Sequence, residues 1–155
     1  MTTNGSTTNG AAPTTATTQK VVDLRGFSYQ GEAGAEVDFR DFFENGALPL
    51  HVVAPDGTIV SANKAEIDLL GYSADNYVGR FVGDFYRDRA VAEDILARLG
   101  RGERIEKYPA DLIAADGSTK HVEIWSSGQF RDGALVSTRC FTVDVTELKK
   151  ARDDL

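Results

Sequence analysis

The chain has 155 residues, 41% of them hydrophobic and 26% charged, with a formal net charge of −7 and an isoelectric point near 4.8. That length supports one ordinary domain, and the acidic balance argues against nucleic-acid backbones and anionic membrane surfaces as partners. A single cysteine, Cys140, excludes an intrachain disulfide framework and suits a reducing cytosol. No stretch reaches the length of a membrane span, and the N-terminus lacks the basic-then-apolar order of a secretory signal. The expectation is a soluble, cytoplasmic protein with no nucleic-acid partner and no membrane insertion.

Residues 1–20, "MTTNGSTTNGAAPTTATTQK", repeat TTNG and offer almost nothing to bury, which predicts a disordered tail. Asn4-Gly5-Ser6 matches a glycosylation acceptor, but without a secretory signal the match carries no weight. Residues 21–46 read as an N-terminal extension. Its first part, "VVDLRGFSYQGEAG", is apolar but broken by glycines and is left unplaced; its second part carries Phe39, Phe42 and Phe43 at i, i+3 and i+4. That is the apolar stripe of a short helix, which Gly46 can end.

Two β-rich runs flank Asp56-Gly57, a strong hairpin signal. Asn63 and Glu66 then have capping-box spacing at the start of a helix whose buried face is Ile67 and Leu70 and whose stop is Gly71. Ser73 is placed to cap a further short turn. From Phe81 to Gly100, the residues Phe81, Phe85, Val91, Ile95 and Leu99 recur at helical spacing, which predicts one long helix. Hairpins follow at Asp116-Gly117 and Asp132-Gly133. The last strand alternates, with Val136, Thr138, Cys140 and Thr142 on one face and Phe141, Val143 and Val145 on the other. Strands at both ends with helices between them predict an α+β fold. It is a single antiparallel five-stranded sheet, with short helices on one face and flanking N- and C-terminal helices.

The order of three stretches carries a family resemblance: "VVAPDGTIVSANKAEIDLLGYSADNYVGR", "ADLIAADGSTKHVEIWSS" and "RCFTVDVTELKKA". Together the sequence resembles a PAS domain over about residues 40–150, similar to those of bacterial sensor histidine kinases, with 47–145 as the sensor domain proper. The resemblance implies a module that senses a small molecule, light or redox state, forms a homodimer and relays to an output domain. In the blue-light branch a Gly-Arg-Asn-Cys run supplies a flavin-reactive thiol. Here Gly79-Arg80-Phe81-Val82 puts valine at that position, and Thr142 falls where that branch has a flavin-contacting glutamine. Haem-binding relatives place a histidine on the long helix, and 81–100 has none. The reading therefore assigns no cofactor and argues against flavin photochemistry and haem. His51 and His121 lie in strand-like alternation and read as hydrogen-bonded sheet residues.

What remains is an apolar pocket for an unidentified small ligand. Resemblance to the flavin-binding relatives turns the Thr138, Cys140 and Thr142 face towards the helices. Phe81, Phe85, Ile95 and Leu96 oppose it from the helical side, with Tyr108, Ala110 and Leu112 on the neighbouring strand. The alternative is a ligand-free module in which these side chains simply fill the core and the fold serves dimerisation or partner binding. Trp125, on the outer face of the sheet, is a candidate packing or dimer contact, together with the Phe39, Phe42 and Phe43 stripe. No nucleophile stands with a base at motif spacing, and "GRFVGDF" lacks the ending of a phosphate-binding loop. The chain reads as non-enzymatic. Asp144, Val145 and Thr146 join the last strand to residues 146–155 without a glycine and are the candidate relay. Asp144 and Glu147 have capping-box spacing, and Leu148, Ala151 and Leu155 begin a coiled-coil seam.

Overall fold

The computed structural model describes residues 28–30 and 36–155. The expected disordered tail and most of the unplaced stretch lie outside the described residues. Ser28–Gln30 (β1) pairs antiparallel with Glu36–Asp38 (β2), a small ribbon that the glycine-broken sequence did not announce. Asp38 then caps helix α1 (Phe39–Glu44), its Oδ1 accepting from the backbone N–H groups of Arg40 and Asp41.

Five strands form the main sheet: β3 (Leu50–Val53), β4 (Ile59–Ala62), β5 (Ile105–Ile113), β6 (Thr119–Arg131) and β7 (Ala134–Asp144). Their spatial order is β4-β3-β7-β6-β5, all antiparallel, so the last strand lies at the centre. The connection from edge to edge carries α2 (Lys64–Leu70), α3 (Ala74–Tyr77), a 3-10 turn (Val82–Phe85) and α4 (Arg89–Gly100). Leu70, Tyr77, Phe85, Ile95 and Leu99 from this connection pack with Val53, Ile59, Val122 and Ile124 of the sheet to make the core. Helix α5 (Thr146–Asp153) follows β7 directly. The α+β architecture with one five-stranded antiparallel sheet is the one expected from the turn dipeptides. At Asp132-Gly133 both residues have positive φ, 51° and 79°, as a type I′ turn requires.

Three expectations are corrected. The run from 81 to 100 is not one helix: a 3-10 turn and α4 are separated by Tyr86–Asp88. Tyr86 bridges to Leu112 of β5, and Asp88 Oδ1 caps α4 through the Ala90 N–H. Val136 does not face inward, because the β6/β7 register shifts between Gln129 and Phe130 and makes Val136 the extra residue of a bulge, left exposed. Ser73 makes no side-chain cap at α3.

Candidate functional site

Half of the Asn63–Glu66 capping box forms. Asn63 Oδ1 accepts from Glu66 N–H at 3.0 Å and from Leu50 N–H at 2.9 Å, while its Nδ2 donates to the Leu48 carbonyl. Glu66 does not reach back to the cap. One helical turn aims its side chain into the interior, where it is 0% exposed. There Tyr77 Oη donates to Glu66 Oε1 at 2.9 Å, and Thr142 Oγ1 stands 3.5 Å from the same oxygen.

The partner of this buried carboxylate comes from β3. His51, 3% exposed, places Nδ1 3.3 Å from Glu66 Oε1. The approach is an ion-pair distance without hydrogen-bond geometry, so His51 Nδ1 and Glu66 Oε2 are buried with no hydrogen-bond partner. Cys140 faces His51 across the β3/β7 ladder. Its Sγ lies 2.8 Å from Ser126 Oγ and 3.3 Å from Thr138 Oγ1, and Thr138 Oγ1 also accepts from Val53 N–H at 3.1 Å. A cluster of ionisable and hydroxyl groups therefore occupies the middle of the sheet's inner face.

Electrostatics shift each of the three ionisable groups towards its charged form. Burial works against a cationic His51, but the negative charge of Cys140 and Glu66 beside it outweighs burial and pushes its pKa up to about 10. Burial raises Glu66, and the His51 charge with hydrogen bonds from its neighbours more than reverses this, leaving it below the usual carboxylate value. Burial likewise raises Cys140, and His51, Ser126 and Thr138 together bring it below the usual thiol value. Tyr77 and Tyr86 are raised, first by burial and then by the nearby anions. A buried ion pair of this kind is a poor source of net stability, which leaves another role open to it.

Beside the cluster, under α4, lies a cavity of about 10 Å³, room for about one water. Ile95, Leu96, Thr138 and Cys140 line it, together with His51, Val82 and Tyr86. The other expected pocket residues are elsewhere. Phe81 is half-buried beneath the Arg89 guanidinium, 4.6 Å from its ring centroid, and fills the space over Gly57 and Gly83. Phe85 packs edge-on against Tyr72 and tilted against Tyr77, at centroid distances of 4.9 and 4.8 Å. Tyr108 donates to Asp94 at 2.6 Å, and Leu112 is in the general core. Thr142 belongs to the Glu66 network rather than to the cavity wall. The interior is thus an apolar core that encloses one polar cluster and is nearly filled around it. Sequence reading missed Glu66, Tyr77 and Tyr86, and it read His51 as a sheet histidine. A glutamate at the capping-box position of α2 was the only local hint.

The relay residues are knotted to β6. Val145 N–H donates to the His121 carbonyl at 2.8 Å, and His121 N–H donates to Thr146 Oγ1 at 3.0 Å. Asp144 Oδ1 accepts from both the N–H and the hydroxyl of Thr146, at 2.9 and 2.6 Å. Asp144 therefore bonds Thr146 rather than forming a capping box with Glu147; Val145 is the N-cap, without a side-chain bond. Leu148 and Leu155 are exposed. Helix α1 buries none of its residues; Phe42 is exposed and shares a cleft of about 430 Å³ with Leu48, Leu50 and Phe141, while Phe39 and Phe43 are half-buried. Trp125 is the cross-strand partner of Phe141 on the outer face.

A central last strand, helices crossing from edge to edge and a polar cluster on the inner sheet face define a PAS-type α+β module. The PAS domain family matches residues 44–147, and the chain belongs to that family. The PAS domain of an HTR-like protein from Haloarcula marismortui is 25% identical, with a TM-score of 0.60, covering 68% of this chain and 88% of that one. A domain of a sensory box sensor histidine kinase/response regulator from Geobacter sulfurreducens is 22% identical, also with a TM-score of 0.60, over 68% of this chain and 90% of that one. The LOV protein of Rhodobacter sphaeroides shares the fold at 17% identity and a TM-score of 0.60, over 70% of this chain and 65% of that one. No curated protein matches. Thr142, which the resemblance sets against the flavin-contacting glutamine of the blue-light branch, stands 3.5 Å from Glu66 Oε1, and the cavity beside it measures about 10 Å³. Among the described residues no cluster of potential ligands could hold a metal ion, and no helix is long and apolar enough to cross a membrane.

Proposed function

We propose that the chain is the sensory module of a signal-transduction protein of the cytosol, acting as a homodimer on an output domain such as a histidine kinase. Its input is a change at the His51–Glu66–Cys140 cluster, and its output leaves through β7 into α5. The observation that carries the reading is the course of β7. β7 supplies Thr138, Cys140 and Thr142 to the cluster and ends at Asp144, and Thr146, the first residue of α5, follows without a glycine and latches on β6. A strand held at one end by buried charge and at the other by a helix start transmits displacement as a unit. Hydrogen exchange of α5 tests this: Cys140→Ala and Thr138→Val are expected to change its protection, and unchanged α5 exchange in both would refute the coupling.

A ligand-free interaction module is the second reading, favoured by the cavity of about 10 Å³ and the apolar cleft around Phe42. Native mass spectrometry with an absorbance spectrum separates the two. A stoichiometric co-purifying molecule supports ligand sensing, and a bare, colourless dimer supports the interaction module.

A further inference from the structure

Cys140 is the chain's single cysteine, and its sulfur sits in the cluster with no chemistry yet assigned to it. Its surroundings can donate to an anion on sulfur. Two hydroxyls, Ser126 Oγ at 2.8 Å and Thr138 Oγ1 at 3.3 Å, approach the Sγ, and His51 stands across the ladder. Independently, Cys140 and His51 share the wall of a cavity that holds about one oxygen-sized group, and His51, 3% exposed, keeps Nδ1 3.3 Å from Glu66 Oε1 without a hydrogen bond. Of the side chains lining that cavity, Leu96 alone is half-buried and the rest are buried, so Leu96 marks the way in.

We propose that Cys140 is a two-electron oxidation site, converted by a small hydroperoxide to a sulfenate whose oxygen occupies this cavity. The thiolate sulfur attacks one peroxide oxygen; the S–O bond forms and the O–O bond breaks. Sulfur is oxidised by two electrons and the peroxide is reduced. The proton on the transferred oxygen passes to the departing hydroxide, so hydrogen peroxide leaves as water and the cysteine as a sulfenate anion. A cationic His51 stabilises both the thiolate and the product, consistent with a thiol held below its usual value. With no second cysteine in the chain, the sulfenate has no internal thiol with which to form a disulfide, and an external thiol restores it. This names the input of the sensory reading and rests on that reading only for its consequence in α5.

The test treats folded protein with hydrogen peroxide, then with a 1,3-dione that traps sulfenic acids, and reads intact and peptide masses. A single adduct at Cys140, abolished by a thiol reductant added before the trap, is expected. His51→Gln should slow trapping about tenfold for each pKa unit the thiol regains, and Leu96→Ala should accelerate it. Ser126→Ala should slow trapping in the same direction by a smaller factor, which keeps the test should the histidine variant fail to fold. Adduct formation only in denaturant, or a folded His51→Gln or Ser126→Ala variant trapped at the wild-type rate, overturns the proposal. An adduct that leaves α5 exchange unchanged keeps the oxidation site and removes the sensory reading; no adduct removes the oxidation site alone.

Discussion

His51 Nδ1 and Glu66 Oε1 are 3.3 Å apart in the centre of the domain, one carried by β3 and the other by the first turn of α2. Removing one partner of a buried pair strands the other charge, at a cost of about 3–5 kcal/mol, whereas replacing both by apolar groups is often neutral. Glu66→Gln and His51→Gln should each lower stability by that order in denaturant melts. The double variant should cost clearly less than the sum of the two. Strict additivity would show that the two side chains do not interact.

The same cluster sets a pH profile. His51 binds its proton more tightly when folded, about 10 against an ordinary 6.5. Its contribution is therefore complete below pH 6.5, declines as pH rises and is gone above about 10. Cys140, lowered from 9.0, works in the opposite sense: its contribution is present above pH 9.0 and lost as pH falls through its folded value. Glu66, lowered from 4.5, adds stability above pH 4.5 that is lost on further acidification. Melting temperatures should fall on the acid side, and Cys140→Ser, by removing the charge that raises His51 most, should move the loss of the histidine's contribution to lower pH. Superimposable alkaline curves would contradict the coupling of His51 to Cys140.

Thr146 is the pin between β7, α5 and β6. Thr146→Ala removes the acceptor of His121 N–H and the hydroxyl bonded to Asp144, for about 1 kcal/mol. Global stability should change by that small amount while exchange protection of α5 collapses, and Asp144→Ala should act similarly. In a protein carrying its output domain, both variants should lose signalling with the fold intact. Normal signalling by both would remove these residues from the relay.

Gly57 has a φ of +89°, and a Cβ there would lie 2.3 Å from the Phe81 ring. Gly57→Ala should destabilise by about 1–3 kcal/mol through backbone strain, with the displaced ring adding to it. Adding Phe81→Leu should relieve the collision and leave the strain, a difference readable in urea midpoints.

The apolar cleft bearing Phe42 (67% exposed) and Phe141 predicts self-association. Paired Phe42→Ser and Phe141→Ser substitutions should shift sedimentation from dimer to monomer. A wild-type monomer at high concentration would refute the dimer.

Much of this protein was legible as a string. Asp56-Gly57, Asp116-Gly117 and Asp132-Gly133 mark their hairpins, Asn63 marks the start of α2, and alternation marks β7. Each is a rule about residues a few positions apart, where backbone sterics and hydrogen bonding act. Such rules suffice for the order of the five main-sheet strands and, with the family resemblance, for the fold. The tertiary structure decided what the interior is made of. Glu66 satisfies half a capping box locally, yet its side chain answers to His51, Tyr77 and Thr142 from three other elements. Phe81 and Tyr108 have the apolar character of pocket residues, and packing on Gly57 and a bond to Asp94 take them elsewhere. A charged cluster assembled from β3, α2 and β7 depends on long-range convergence, which no local spacing encodes.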